Sequence, residues 1–327
     1  MNPFTRTDIP IEVIRRLDLS KVPKGTMRRF WLHLISDGMG MPVHVPVIVA
    51  RGRKDGPVLG ITAAIRGNEI NGIPLIQRLF QEISLDDLAG VVVGIPVINI
   101  PSLLIKERNF IDGADLNRVM PGRADGSNSQ VYAFRLVDRV IRYFDYLLDL
   151  HTASFGRVNA HYIRADLDDP ICREMAILQN AQVIVHNLPS DGSLRGAADS
   201  LGIYAITLEV GSPHTFHKGF IRSGLTGIYN LLRQLQMTEG AIELPEARPY
   251  ICKNSYWIYS DSGGILTVAP NVGELVYAGE TIATLRDIFG DVIKEYTSPE
   301  NGIVIGKSVD PINQTGGRII HLGVLGS

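Results

Sequence analysis

Between residues 57 and 236, short apolar runs alternate with amphipathic stretches, and this alternation leaves the chain few ways to fold. Apolar runs at 58–65, 90–98, 146–150, 183–186 and 203–210 are too short for helices and too continuous for half-exposed strands. They read as strands covered on both faces. Between them, Ile76, Leu79, Phe80 and Ile83 recur at i, i+3, i+4 and i+7, which places one apolar stripe along a helix. The same spacing recurs at Val137, Val140, Ile141 and Phe144, and a third helix carries Ile221, Leu225, Ile228 and Leu232 on one face. Strands separated by helices make an α/β fold: a mostly parallel or mixed sheet with helices on both faces. Two further strands, 28–35 and 43–50, precede this region and join through a Gly-containing turn at residues 37–40.

The texture changes after Leu235. Residues 238–250 form a polar, Pro-containing linker, and residues 251–327 are short strands punctuated by Gly263, Gly264, Gly273, Gly279, Gly290, Gly302, Gly316 and Gly317. The expected organisation is an α/β domain at 1–237, the linker, and a small all-β barrel or sandwich at 251–327. The segments beginning at Gly264 and Ser298 resemble the two halves of a biotinyl/lipoyl-type barrel. Lys294 and Lys307 are the candidate carrier lysines, but neither sits at a hairpin tip, so this part reads as structural.

Composition narrows the function classes. The formal net charge of -2 provides no basic footprint for nucleic acid. The two cysteines, Cys172 and Cys252, form no Cys-x-x-Cys pair, which excludes a thiolate zinc site and a disulfide framework and fits a reducing, cytoplasmic setting. Residues 1–20 mix charges into their apolar positions and lack the core of a signal peptide. The uncharged stretch 88–105 approaches membrane length but contains Pro96, Asn99, Pro101 and Ser102, so it reads as a buried strand running into a loop. The expectation is a soluble protein with a small-molecule partner and no membrane or nucleic-acid partner; a homo-oligomer is compatible with this architecture.

In open α/β sheets, functional groups collect at the carboxyl ends of the strands. Four such ends carry notable residues here. Strand 58–65 leads to Arg66, Gly67, Asn68 and Glu69. The loop after 90–98 runs to Arg108 and on to Asp115-Leu-Asn-Arg-Val-Met-Pro-Gly122. Strand 146–150 leads to His151 and Thr152, and strand 203–210 delivers Glu209 just ahead of Gly211. Individually these have plain explanations. Glu69 at a helix start is favoured by the dipole whatever its function, and His151 alone reads as a satisfied strand-end histidine. Glu209 inside an apolar run is harder to explain that way, because a buried carboxylate is costly unless it is paired.

Taken in order, the Gly-Asn-Glu turn, Asp-Leu-Asn-Arg followed by Pro-Gly, Asp-Leu-His-Thr and a late Glu before Gly resemble the succinylglutamate desuccinylase/aspartoacylase family, relatives of the zinc carboxypeptidases. The resemblance spans roughly residues 50–235. It implies that Glu69 and His151 are two of three protein ligands to one zinc, which activates a water. It implies that Glu209 moves the proton from that water to the leaving amine, and that Arg108 supports the oxyanion. Asn117 and Arg118 match the pair that grips a substrate carboxylate. Asp149, two residues before His151, is a candidate partner for the ring.

One position departs from the pattern. The third ligand should be an imidazole three residues before Glu69, and Arg66 stands there. A guanidinium has no free lone pair and stays protonated, so it cannot ligate. Three outcomes are open: an ion pair with Glu69 in place of metal, another histidine standing in, or an isolated change in an otherwise complete enzyme. His161 and His214 follow strands that carry the site; His33, His44, His186, His217 and His321 complete the set. The leading expectation is a metal-dependent hydrolase of an N-acyl amino acid or similar small carboxylated amide. Two others stand beside it: a metal-free binding protein for acidic small molecules through Arg66, Arg108 and Arg118, and a carboxypeptidase on acidic peptide ends.

Overall fold

A computed structural model describes residues 11–326; the first half of the segment 1–20, read as lacking a leader, therefore lies outside the described residues. A long mixed sheet forms the backbone of the molecule. From its N-terminal edge the strands run Glu12–Ile14, Thr26–Ser36, Pro42–Arg51, Ala89–Ile95, Lys54–Ala63, Tyr146–His151, Tyr204–Val210, His161–Ala165, Val183–His186, Tyr250–Tyr259, Arg318–Leu325, Gly302–Ser308 and Leu275–Val276. The expected strands are all present, with ends displaced by a few residues. Lys54–Ala63, Ala89–Ile95, Tyr146–His151 and Tyr204–Val210 are mutually parallel, as crossover connections through helices require. His161–Ala165 was not anticipated. It runs antiparallel beside Tyr204–Val210, five residues long between two loops, with too short a pattern to stand out.

Helices cover both faces, and the sheet separates two apolar cores. On one face α1 (Gly72–Glu82), α4 (Pro170–Ile177) and α6 (Lys218–Gln234) bury Leu75, Ile76, Leu79, Met175, Leu225, Ile228 and Leu232 against Leu59, Ile61 and Leu208. On the other, α3 (Asn128–Arg139) and α5 (Leu194–Asp199) bury Tyr132, Leu136, Leu194 and Ala198 against Val47, Val93 and Leu147. The short α2 (Ile100–Ile105) replaces the loop expected after the Ala89–Ile95 strand; Asn99 caps it by accepting from the Ser102 N–H at 3.2 Å. The helix expected through Val137–Phe144 ends at Arg139 and continues as a 3₁₀ turn, Ile141–Tyr143. Glu69, expected to open a helix, lies in the turn ahead of α1, which begins at Gly72.

The C-terminal part is all β. Val292–Thr297, Thr281–Arg286, Gly264–Val268 and Ile312–Asn313 form a second sheet, and an apolar core of Leu266, Ile282, Leu285, Ile320 and Leu322 lies beneath. Its other strands extend the main sheet: Tyr250–Tyr259 pairs in parallel with Val183–His186, and Tyr162, Val183, Val185, Cys252, Ile303 and Ile305 share one buried cluster. Lys294 pairs with Asp261 at 2.5 Å and Lys307 donates to the Pro270 carbonyl at 2.9 Å. Among the described residues, no helix is long and apolar enough to cross a membrane.

Candidate functional site

Parallel register brings the expected residues together. His151 lies directly opposite Glu209, and Glu209 opposite Tyr162 on the antiparallel strand, so all three point to the same side of the sheet. Two residues earlier, Thr62, Asp149 and Thr207 form the next row. A cleft of about 630 Å³ opens above these rows. Arg66, Arg108, Asn117, Arg118, His151 and Glu209 all line it, while Glu69 is buried behind Arg66.

The turn that carries Arg66 is held tightly. Ala64 adopts φ of 50°, an unusual conformation for a residue with a side chain. Asn99 secures it: its N–H donates to the Ala64 carbonyl at 3.0 Å and its side-chain amide to the Ile65 carbonyl at 3.1 Å. At Gly67 the backbone of α2 comes so close that an added Cβ would lie 2.1 Å from the Ser102 carbonyl carbon.

Arg66 occupies the centre of the site. Its Nη1 lies 3.3 Å from Glu69 Oε1 and 3.4 Å from His151 Nδ1, while Nε and Nη2 donate to Asp115 at 3.1 Å. Asp115 also accepts from Arg108 Nη2 at 2.9 Å, and Arg108 donates to the Ser154 hydroxyl. His151 is bonded at both nitrogens to carboxylates: Nδ1 to Glu69 at 2.9 Å and Nε2 to Asp149 at 2.7 Å. Burial alone would push its pKa down, but Asp149 and Glu69 outweigh that and raise it to about 10. Glu69 is buried, which disfavours its charge, yet Arg66, His151 and Arg108 hold its pKa below the ordinary value. Asp115 follows the same pattern, with Arg66 and Arg108 overcoming its burial. Arg66, Arg108 and His151 are thus matched by Glu69, Asp115 and Asp149.

This arrangement does not fit a zinc ion. Two potential donors, Glu69 and His151, converge and bond each other at 2.9 Å, and the guanidinium lies against both, at 3.3 and 3.4 Å. Each nitrogen of His151 already bonds a carboxylate, and the Arg66 guanidinium sets a positive charge 3.4 Å from Nδ1, which repels a dication. No other histidine replaces the missing one. His161 is next to Tyr162 on the same strand and so points to the opposite face, where it stacks on Phe220 and bonds the Glu209 carbonyl at 3.0 Å. His214 is not among the cleft residues, and His321 lines the cleft through a bond from Nε2 to Ser255 Oγ at 2.9 Å. Among the described residues, the one group of three donors with metal-like spacing is Asp166, Asp168 and His186, none of which lines this cleft.

Outside that balanced centre, the cleft is strongly cationic. Seven arginines line the whole cleft, five of them beyond Arg66 and Arg108 of the centre: Arg118, Arg157, Arg164, Arg195 and Arg318. The carboxylates lining it are Asp149, Asp191 and Glu209. Glu209 accepts from Asn159 Nδ2 at 3.3 Å and lies 3.6 Å from Arg164. Asn117, expected to face a substrate, uses its carbonyl oxygen to cap α5 at the Leu194 N–H, 2.8 Å away, which leaves its NH2 for a ligand. Arg118 is mostly exposed and only 3.9 Å from Asp115, so its fork remains largely available.

A model of the succinylglutamate desuccinylase/aspartoacylase catalytic domain matches residues 55–235, more than half of the chain. The chain belongs to this family. Among its relatives is an N-alpha-acetyl-L-2,4-diaminobutyric acid deacetylase of Halomonas elongata, 25% identical over 279 residues, 81% of each chain. A succinylglutamate desuccinylase of Pseudomonas paraeruginosa is 28% identical over 232 residues, covering 67% of this chain and 66% of that one. The fold is shared with the product-bound ectoine utilization protein EutE (DoeB) of Ruegeria pomeroyi, with a TM-score of 0.84, 22% identity, and coverage of 93% of this chain and 98% of that chain. A succinylglutamate desuccinylase of Silicibacter sp. TM1040 has the same fold, with a TM-score of 0.83, 21% identity, and 94% and 98% coverage. The named relatives are deacylases of N-acyl amino acids.

Sequence reasoning missed Asp115 as the clamp on Arg66 and Arg108, although it opens the Asp-Leu-Asn-Arg motif. It also missed Tyr162 and Arg164, which arrive on the unanticipated antiparallel strand, Arg157 and Asn159, which arrive on the short strand Arg157–Asn159 before it, and Arg195, Trp257, Arg318 and His321. Arg195 donates to the Asn187 and Leu188 carbonyls, at 2.8 and 3.0 Å, from within α5.

Proposed function

We propose that this chain recognises an N-acyl amino acid, or a similar small carboxylated amide with more than one negative charge, in a cleft where Arg66 takes the place of a metal ion. The observation that carries this reading is the position of the Arg66 guanidinium against both Glu69 and His151, at 3.3 and 3.4 Å. The surplus of arginines over carboxylates around it selects for anions. Asn117 and Arg118 would hold the amino-acid carboxylate, for which a planar two-pronged donor is suited.

A second reading, cleavage of the bound amide, is favoured by Glu209, which faces the cleft between Asn159 and Arg164. In that reading Glu209 takes a proton from a water attacking the acyl carbonyl. Arg108 supports the developing oxyanion, and Glu209 returns the proton to the departing amine, leaving a carboxylate and a free amine.

Elemental analysis after zinc supplementation and desalting separates metal-free from metal-dependent readings. The expected result is no retained metal; about one zinc per chain would overturn the assignment of Arg66. Calorimetry with N-acyl amino acids should show binding that Arg118→Ala weakens roughly tenfold or more, the worth of a charge-assisted pair. Turnover of the same compounds, abolished by Glu209→Gln, would establish the second reading.

A further inference from the structure

Arg157 and Arg318 are set apart from the other arginines of the cleft by what they lack. Arg66 and Arg108 have Asp115, and Arg164 has Glu209. Among the described residues, neither Arg157 nor Arg318 makes an ion pair or a side-chain hydrogen bond. Both instead lie over the indole of Trp257, at 5.7 and 5.4 Å from its centre. Three separate strands bring them there. Arg157 begins Arg157–Asn159, which pairs with Gly302–Ser308; Trp257 lies opposite His321 in the next pairing, and Arg318 opposite Tyr259.

The indole is fixed. His321 stacks on it at 5.1 Å with 10° between the planes. Burial, with Arg164, Arg318 and Arg157 nearby, drives the His321 pKa down to about 3, so the ring is neutral and adds no third positive charge. Burial and the neighbouring Arg318 press the pKa of Arg157 down to about 10. Arg157, partly buried, and Arg318, exposed, share one aromatic platform and repel each other, and an anion between them relieves that repulsion.

We propose that Arg157, Trp257 and Arg318 form a second anion subsite, which receives a carboxylate of the ligand distinct from the one held by Asn117 and Arg118. The proposal rests on the anionic-amide reading above and extends it. The ligand carries carboxylates at both ends, one on the amino acid and one on the acyl group.

The chain has two tryptophans, Trp31 and Trp257. A Trp31→Phe variant therefore reports on Trp257 alone. Titrating succinate into it should produce a saturable change in emission, and Arg318→Gln, a change at an exposed side chain, should abolish it. In calorimetry, N-succinyl-L-alanine should bind about tenfold more tightly than N-butyryl-L-alanine, which matches it in length but lacks the charge. Arg318→Gln should erase that preference and leave the butyryl compound unaffected.

A Trp257 emission indifferent to succinate, or a response and a preference that survive Arg318→Gln, overturns the subsite. If neither acyl-alanine binds while succinate still acts through Arg318, the subsite stands and the wider reading falls. If both bind equally and Arg318→Gln changes neither, the wider reading stands and the subsite falls.

Discussion

At Arg66, one residue decides what chemistry the centre can support. Glu69 and His151 converge on each other, and a guanidinium lies within 3.4 Å of both. It is sustained there by Asp115, which also binds Arg108. Replacing Arg66 with histidine restores a third neutral donor and removes the positive charge that repels a dication. Arg66→His is expected to retain about one zinc per chain where the parent retains none, as read by elemental analysis. A variant that stays metal-free would show that Asp149 and Asp115 shape the centre against metal independently of Arg66. The departure at position 66 was legible in the sequence because the family pattern surrounds it. The role of Asp115 was not, since a carboxylate 49 residues away reaches Arg66 only in the folded chain.

Between residue and molecule, the strand ends do the positioning. The parallel strands Lys54–Ala63, Tyr146–His151 and Tyr204–Val210 were legible as apolar runs, so the order of Arg66, His151 and Glu209 along one edge followed from strand topology. The antiparallel strand His161–Ala165 was not legible. Its five residues include a buried His and an Arg that faces the cleft, which breaks the apolar signal. The turn after Lys54–Ala63 shows how closely the elements meet. A methyl group at Gly67 would collide with the Ser102 backbone at 2.1 Å and force α2 away. Gly67→Ala is expected to destabilise the protein by roughly 1–3 kcal/mol, as overpacking does. The thermal midpoint should fall by a few degrees and anionic-ligand affinity should drop with it; an unchanged midpoint would show that α2 gives way freely.

For the molecule as a whole, the net charge of -2 conceals a cleft lined by seven arginines. Ligand association should therefore slow as salt rises from about 0.01 to 0.15 M, where screening shortens from roughly 30 to 8 Å. Stopped-flow rates independent of salt would contradict an electrostatically steered cleft. The C-terminal strands complete both the sheet and the cleft. Ending the chain at residue 249 would uncover Tyr162, Val183 and Val185 and remove Trp257 and Arg318. Such a fragment is expected to be insoluble or to bind a hydrophobic dye, and a soluble fragment with a sharp thermal transition would show that residues up to 249 fold alone.

The sequence by itself determined the α/β alternation, the all-β character of the C-terminal part and the order of the site-bearing motifs. Each is a local matter: periodicity and turn chemistry are set by neighbours a few residues apart. Tertiary structure alone decided that Arg66 meets His151 and Asp115, and that Arg157, Trp257 and Arg318 meet at one cleft. Those contacts join residues as much as about 100 positions apart along the chain. No local pattern encodes such a distance, because strand pairing in the folded sheet, and not spacing in the chain, brings the charges together.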